Sequence, residues 1–156
     1  MSMVDEAPTA IHIGDEALPW FDVGGGVELK LVQAKVSEGI WVIRNRFQPG
    51  AAVQIHKHTG QVHAFTLSGS WHYLESADQV SRAGSYLFEP AGSIHTLVVP
   101  ESNTEVTDVW FTIHGANLNL DADGNIESVI DAGGMLAFYL ALCEEAGITD
   151  PPVVRD

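Results

Sequence analysis

Cations are scarce in this chain: 7 Lys and Arg stand against 21 Asp and Glu, for a formal charge of -14. Such a surface repels polyanions, which argues against nucleic acid and anionic membranes as partners. Cysteine is nearly absent, and the single Cys143 excludes an intrachain disulfide framework. It lies among apolar residues and reads as a buried, inert thiol. No apolar run approaches the roughly 20 residues of a membrane-spanning helix. The first residues, Met1-Ser2-Met3-Val4-Asp5-Glu6, are acidic where a secretory leader would be basic. The expectation is a soluble, cytoplasmic protein.

Several nucleotide and hydrolase signatures are also missing. Gly24-Gly25-Gly26 lacks the Lys-Ser/Thr of a P-loop, and no Gly-x-Ser-x-Gly elbow occurs. Asp121-Ala122-Asp123-Gly124-Asn125 has the start of a calcium loop. Ile126 and Ala132, however, stand where an EF-hand needs Gly and Glu, so a hairpin turn is expected.

What the chain does have is β signal, punctuated by Gly and Pro. Val27–Val36 and Gly39–Phe47 are strand-like, and Gln48-Pro49-Gly50 ends the second. Further runs lie in Val53–Leu67, Trp71–Glu75, Arg82–Glu89, Ile94–Val99 and Val106–His114. Short strands separated by turns predict an all-β sandwich or barrel. Residues 1–18 read as an arm, with Ile11-His12-Ile13 available for a short strand. Met135, Leu136, Tyr139, Leu140 and Cys143 recur at helical spacing, so one amphipathic helix is expected over 131–147, capped by Gly147. The whole of 1–156 reads as one domain.

Five of the 7 histidines fall between positions 56 and 95. His56 and His58 are two apart, so on a strand they share a face. Imidazole is largely unprotonated at neutral pH and ligates zinc, copper, iron and nickel. The pair would make half of a metal site, or it is simply a pair of surface histidines. His95, after Pro90-Ala91-Gly92, begins a later strand from which a third ligand could cross the barrel.

The glycines around these histidines narrow the choice. Gly50, five residues, His56-Lys57-His58 and then Gly69 match the first motif of the cupins. Gly84, five residues, Pro90-Ala91-Gly92, two residues and His95 match the second. On this resemblance the fold is expected to be a cupin, an all-β double-stranded β-helix barrel with one short C-terminal helix. Val99 replaces the usual closing Asn. The first motif's usual glutamate falls at Val62 or His63, and neither is a carboxylate.

Two side chains, His63 and Glu75, are candidates for the missing role, and Glu89 is a further acid nearby. His63 would make a fourth imidazole or support the site from outside it. Glu75 would face Val62 if Ser68-Gly69 were the centre of a hairpin joining adjacent strands, since cross-strand neighbours share a face. A one-residue slip would turn it to solvent. Glu89, six residues before His95, could orient a ligand imidazole or lie on the surface.

The segments His56–Glu75 and Gly84–Leu97 resemble the 2,4'-dihydroxyacetophenone dioxygenase group of cupins, and more distantly acetylacetone dioxygenase. The resemblance implies iron(II) held by His56, His58, His95 and Glu75, although zinc or nickel would also suit imidazoles. It implies a small ketone substrate, dioxygen, and cleavage of a carbon–carbon bond beside a carbonyl. A β-diketone is an alternative substrate. A cupin that holds metal as a sensor or binding module, as in some anti-sigma factors, is an alternative of another class. Cupin precedent further implies a homodimer or homotetramer, with residues 1–20 as an exchanged arm. Phe65, Trp71, Tyr73, Phe88, Trp110 and Phe111 are the aromatics available for a pocket wall.

Overall fold

A computed structural model describes residues 2–156. In chain order the strands are β1 (Phe21–Asp22), β2 (Val27–Lys35), β3 (Ile40–Phe47), β4 (His56–His58), β5 (Val62–Ser68), β6 (Ser70–Tyr73) and β7 (Ser81–Arg82). They continue with β8 (Tyr86–Glu89), β9 (Ile94–His95), β10 (Leu97–Val98), β11 (Thr107–His114), β12 (Asn117–Leu120) and β13 (Ile126–Ile130). Helix α1 (Ala132–Glu145) follows, then β14 (Val154–Arg155). This is the expected cupin β-barrel with one short helix near the C-terminus.

A seven-stranded sheet runs β1-β2-β3-β11-β5-β8, with β14 added beside β2. Two smaller sheets, β10-β6-β7 and β13-β12-β4-β9, make up the rest. Alternation decides which side chains enter the barrel. On β5, Val62, Ala64 and Thr66 are buried while His63, Phe65 and Leu67 face outward. On β3, Trp41, Ile43, Asn45 and Phe47 point inward beside Val109, Phe111 and Ile113 of β11.

Gly69 is required where β5 ends. Its φ is 73°, and a Cβ there would come within 2.6 Å of the Thr107 Cα. The chain can therefore turn tightly against β11 only without a side chain. Beyond this turn β6 does not fold back on β5. It pairs with β10 and β7, and β5 is flanked by β11 and β8. The hairpin expected to bring Glu75 opposite Val62 is not formed.

Residues 11–13 form no strand. The following segment lies on the chain's own sheet instead of extending away. Asp15 accepts from Lys30 Nζ and Arg44 Nη1, Leu18 is buried, and Tyr139 Oη donates to the Pro19 carbonyl at 2.6 Å. Arg46 stacks 4.0 Å from the centre of Trp20. Three of the chain's few cations are thus used to hold the stretch from Asp15 to Trp20 against the sheet.

Asp131 caps α1 by accepting from the Gly134 N–H at 2.8 Å. Ala132, Met135, Tyr139 and Cys143 form its buried stripe, and the helix packs against β2. Burial raises the Cys143 thiol pKa, as suits an inert core cysteine. The Asp121 turn joins β12 to β13, its carboxylate accepting from the N–H groups of Asp123 and Asn125. No helix among the described residues is long and apolar enough to cross a membrane.

Candidate metal centre

Strand spacing and register bring the three motif histidines together. His56 and His58 lie on the same face of β4, and His95 is the direct partner of His56 across the β4–β9 pair. Their ring centroids are 4.8, 4.8 and 5.0 Å apart. One nitrogen from each lies within 4.8 Å of the other two, and all three residues are buried.

Burial chiefly sets their charge state, because a buried imidazolium loses its hydration. It lowers the pKa of His58 to about 4, helped by repulsion from His56, and that of His95 to about 3, helped by His56 and His58. His56 is lowered as well, by burial against a hydrogen bond to Gln54 that works the other way. That bond, 2.7 Å from Nδ1 to a carbonyl that can only accept, places the proton on Nδ1 and leaves the Nε2 lone pair free.

The surroundings suit a cation. Nε2 of His95 and Oε2 of Glu89 are buried without a hydrogen-bond partner. Unpartnered buried polar atoms cost about 1–3 kcal/mol each, which a metal among the rings would help to offset. The residues present therefore fit a divalent metal on His56, His58 and His95.

Glu89 joins them through register. It is the cross-strand partner of Val62 on β8, and its Oε2 lies 3.1 Å from His58 Nε2 and 3.5 Å from His95 Nε2, without hydrogen-bond alignment to either. Its side chain thus faces the ring nitrogens; it does not support a ring from behind. Tyr73 Oη donates to Glu89 Oε1, and the Tyr73 ring stacks on His95 with centroids 3.8 Å apart. Burial pushes the Glu89 pKa up to about 7, against the opposing effect of the Tyr73 hydrogen bond.

Glu75 and His63 do not join this cluster. Glu75 lies in a short 3-10 turn, Leu74–Ser76, where its two oxygens accept from the Thr96 N–H and hydroxyl, each at 2.9 Å. It sits close enough to His56 to favour the charged imidazole but is not one of the converging groups. His63 faces outward because Val62 faces inward, and its Nδ1 meets the Tyr86 hydroxyl at 2.6 Å.

A cavity of about 320 Å³ opens beside His56, His58 and Glu89. Tyr73 and Phe111 line it, as do Trp41 and Phe47, which were not among the expected wall residues. Trp71 is buried core, Phe65 and Phe88 are half-exposed on the outside, and Trp110 packs by the N-terminal segment. Asn117, the β12 partner of His58, also lines the cavity, and no sequence pattern singles it out.

Residues 8–117 match the family model described as the ChrR cupin-like domain. The chain belongs to this cupin family. A protein of unknown function with a cupin-like fold from Ralstonia eutropha JMP134 is 30% identical, with a TM-score of 0.88, over 97% of this cupin and 94% of that chain. An RmlC-like cupin from the same organism is 27% identical, with a TM-score of 0.84, over 96% of both chains. An acetylacetone dioxygenase from Acinetobacter johnsonii shares the fold at 20% identity and a TM-score of 0.73, over 86% of this cupin and 93% of that chain. No curated protein matches.

Proposed function

We propose that this cupin is an iron(II)-dependent dioxygenase that cleaves a carbon–carbon bond beside the carbonyl of a small aryl hydroxyketone. The observation that carries this reading is the group of three buried, neutral histidines, two of which, His56 and His58, line a largely apolar cavity. His56, His58 and His95 would hold the metal. Bound iron(II) would supply Lewis-acid polarisation of the carbonyl and a centre for dioxygen chemistry.

The chain's own part is to hold the substrate and move a proton. Trp41, Ile43 and Phe111 exclude water and pack against an aryl group. Glu89 Oε2 faces the histidines and is placed to take a proton from a substrate bound there, while Tyr73 fixes the carboxylate through Oε1. An aryl hydroxymethyl ketone and one dioxygen would yield an aromatic acid and formate, with both oxygen atoms retained in the products. A β-diketone is the alternative substrate, supported by the fold shared with the Acinetobacter johnsonii acetylacetone dioxygenase. The half-exposed Phe65, Leu67, Tyr86 and Phe88 on one outer face support a homodimer or homotetramer, which a strict monomer on a sizing column would exclude.

A second reading is a metal-holding module without turnover, favoured by the match to the ChrR cupin-like domain. Oxygen uptake by protein loaded anaerobically with iron(II), offered 2,4'-dihydroxyacetophenone and then acetylacetone, separates the two. Uptake abolished in His56→Ala supports the dioxygenase. No uptake with one iron bound per chain favours the module.

A further inference from the structure

We infer that Asn45 recognises a hydrogen-bond donor at the end of an uncharged, apolar ligand that lies away from the three histidines. This rests on the proposed reading only in requiring that the cavity hold a small ligand. Glu89 is the one carboxyl side chain on the cavity wall, and no Lys or Arg lines it among the described residues. Away from the metal, a carboxylate or phosphate would lie without a cation to meet it, and at a steep desolvation cost. An uncharged ligand enters without that cost.

Within this wall Asn45 is conspicuous for its polarity. It is 7% exposed, and it alternates on β3 with Ile43 and Phe47. Its partners across β2 and β11 are Leu29 and Val109. An amide buried among such neighbours is unfavourable unless both of its ends are used. One end is used: Nδ2 donates to the Glu28 carbonyl at 3.2 Å. That bond orients the amide, and no group among the described residues donates to Oδ1. The residue therefore offers a fixed acceptor to whatever occupies the cavity.

Register places this acceptor at a distance from the histidines. Asn45 pairs with Val109, which pairs with Thr66, four residues along β5 from Val62, the partner of Glu89. At about 3.3 Å per residue, that is roughly 13 Å along the strands. A ligand with its carbonyl by the histidines would thus meet Asn45 with its far end, where a phenol or similar donor would be favoured. Pockets built to bond a hydroxyl discriminate strongly against analogues that lack it.

Calorimetric titration of the zinc-loaded protein tests this without turnover. The probes are acetophenone, 4'-hydroxyacetophenone and 4'-methoxyacetophenone, with the longer 4-phenyl-2-butanone and its para-hydroxy and para-methoxy derivatives. The hydroxyl is expected to tighten binding by about 5- to 20-fold in at least one length series, and the methyl ether, which cannot donate, to bring no such gain. Asn45→Leu should erase the gain while retaining affinity for the unsubstituted ketone. Equal binding of phenol and methyl ether in both series overturns the inference from wild-type data alone, as does a gain that survives in Asn45→Leu. Binding of no probe overturns the cavity reading together with this one. The predicted binding pattern without oxygen uptake would sink only the dioxygenase.

Discussion

Glu89 faces Val62 directly across the β5–β8 pair, and this register carries a carboxylate to within 3.1 Å of His58 Nε2. Glu75, by contrast, is tied to Thr96. The two acids should therefore behave differently when removed. Glu89→Ala is expected to weaken zinc binding by about 10- to 100-fold, and Glu75→Ala by no more than about 2-fold. Competition with a chromophoric chelator measures both. The reverse ranking would return Glu75 to the metal centre.

The contrast between these acids marks what the sequence could reveal. His56, His58 and the glycine and proline punctuation are local features, and strand parity and turn chemistry suffice to read them. The direction of His63 was also local, because Val62 and Ala64 on either side of it mark the buried face of β5. Glu75 depended on which strands pair. Ser68-Gly69 has hairpin residues, yet β6 leaves for the sheet of β10 and β7, a tertiary choice with no trace in adjacent residues. Asn45 and Asn117 are isolated amides on strands, and only the folded cavity gives them meaning.

Asn117 and His58 are cross-strand partners, and Asn117 Oδ1 and His58 Nδ1 are both buried without a hydrogen bond to any other group. The nearby amide favours a protonated His58, as an acceptor of its N–H would. Accepting at Nδ1 would keep the Nε2 lone pair toward the metal. Asn117→Leu is expected to lower zinc affinity about 10-fold, and Asn117→Asp to restore much of it. Nitrogen-15 shifts of His58 in the zinc form should show the Nδ1–H tautomer in wild type and a tautomer mixture in the metal-free Leu variant. Unchanged affinity and shifts would leave Asn117 with a packing role alone.

Gly69 and Gly84 separate two costs of adding a side chain. Both have positive φ, 73° and 87°, but a Cβ on Gly69 meets Thr107 whereas one on Gly84 meets nothing within 4 Å. Gly84→Ala should lose about 1–2 kcal/mol from backbone strain. Gly69→Ala should lose at least about 2 kcal/mol more, because Thr107 belongs to the central strand β11 and cannot yield freely. Urea denaturation gives both values. Equal losses would mean that the β5–β6 turn relaxes away from β11.

Buried neutral histidines make the metal-free protein acid-sensitive. His58 and His95 have pKa values of about 4 and 3, below the 6.5 of an unfolded histidine. Between those values and pH 6.5 the unfolded chain binds protons that the folded chain does not, so stability falls as pH falls below 6.5. Glu89 acts oppositely: raised from 4.5 to about 7, it holds a proton in the folded state and loses that contribution as pH rises through 7. From pH 6.5 down to 4.5 the two histidines outnumber the one acid. The net loss from these three groups is then on the order of 1.4 kcal/mol per pH unit, and His56, also lowered, adds to it. Urea denaturation of chelator-treated protein at pH 6.5, 5.5 and 4.5 should show that slope, and His58→Gln with His95→Gln should flatten or reverse it. A slope unchanged by the double variant would place the acid sensitivity outside the histidine cluster.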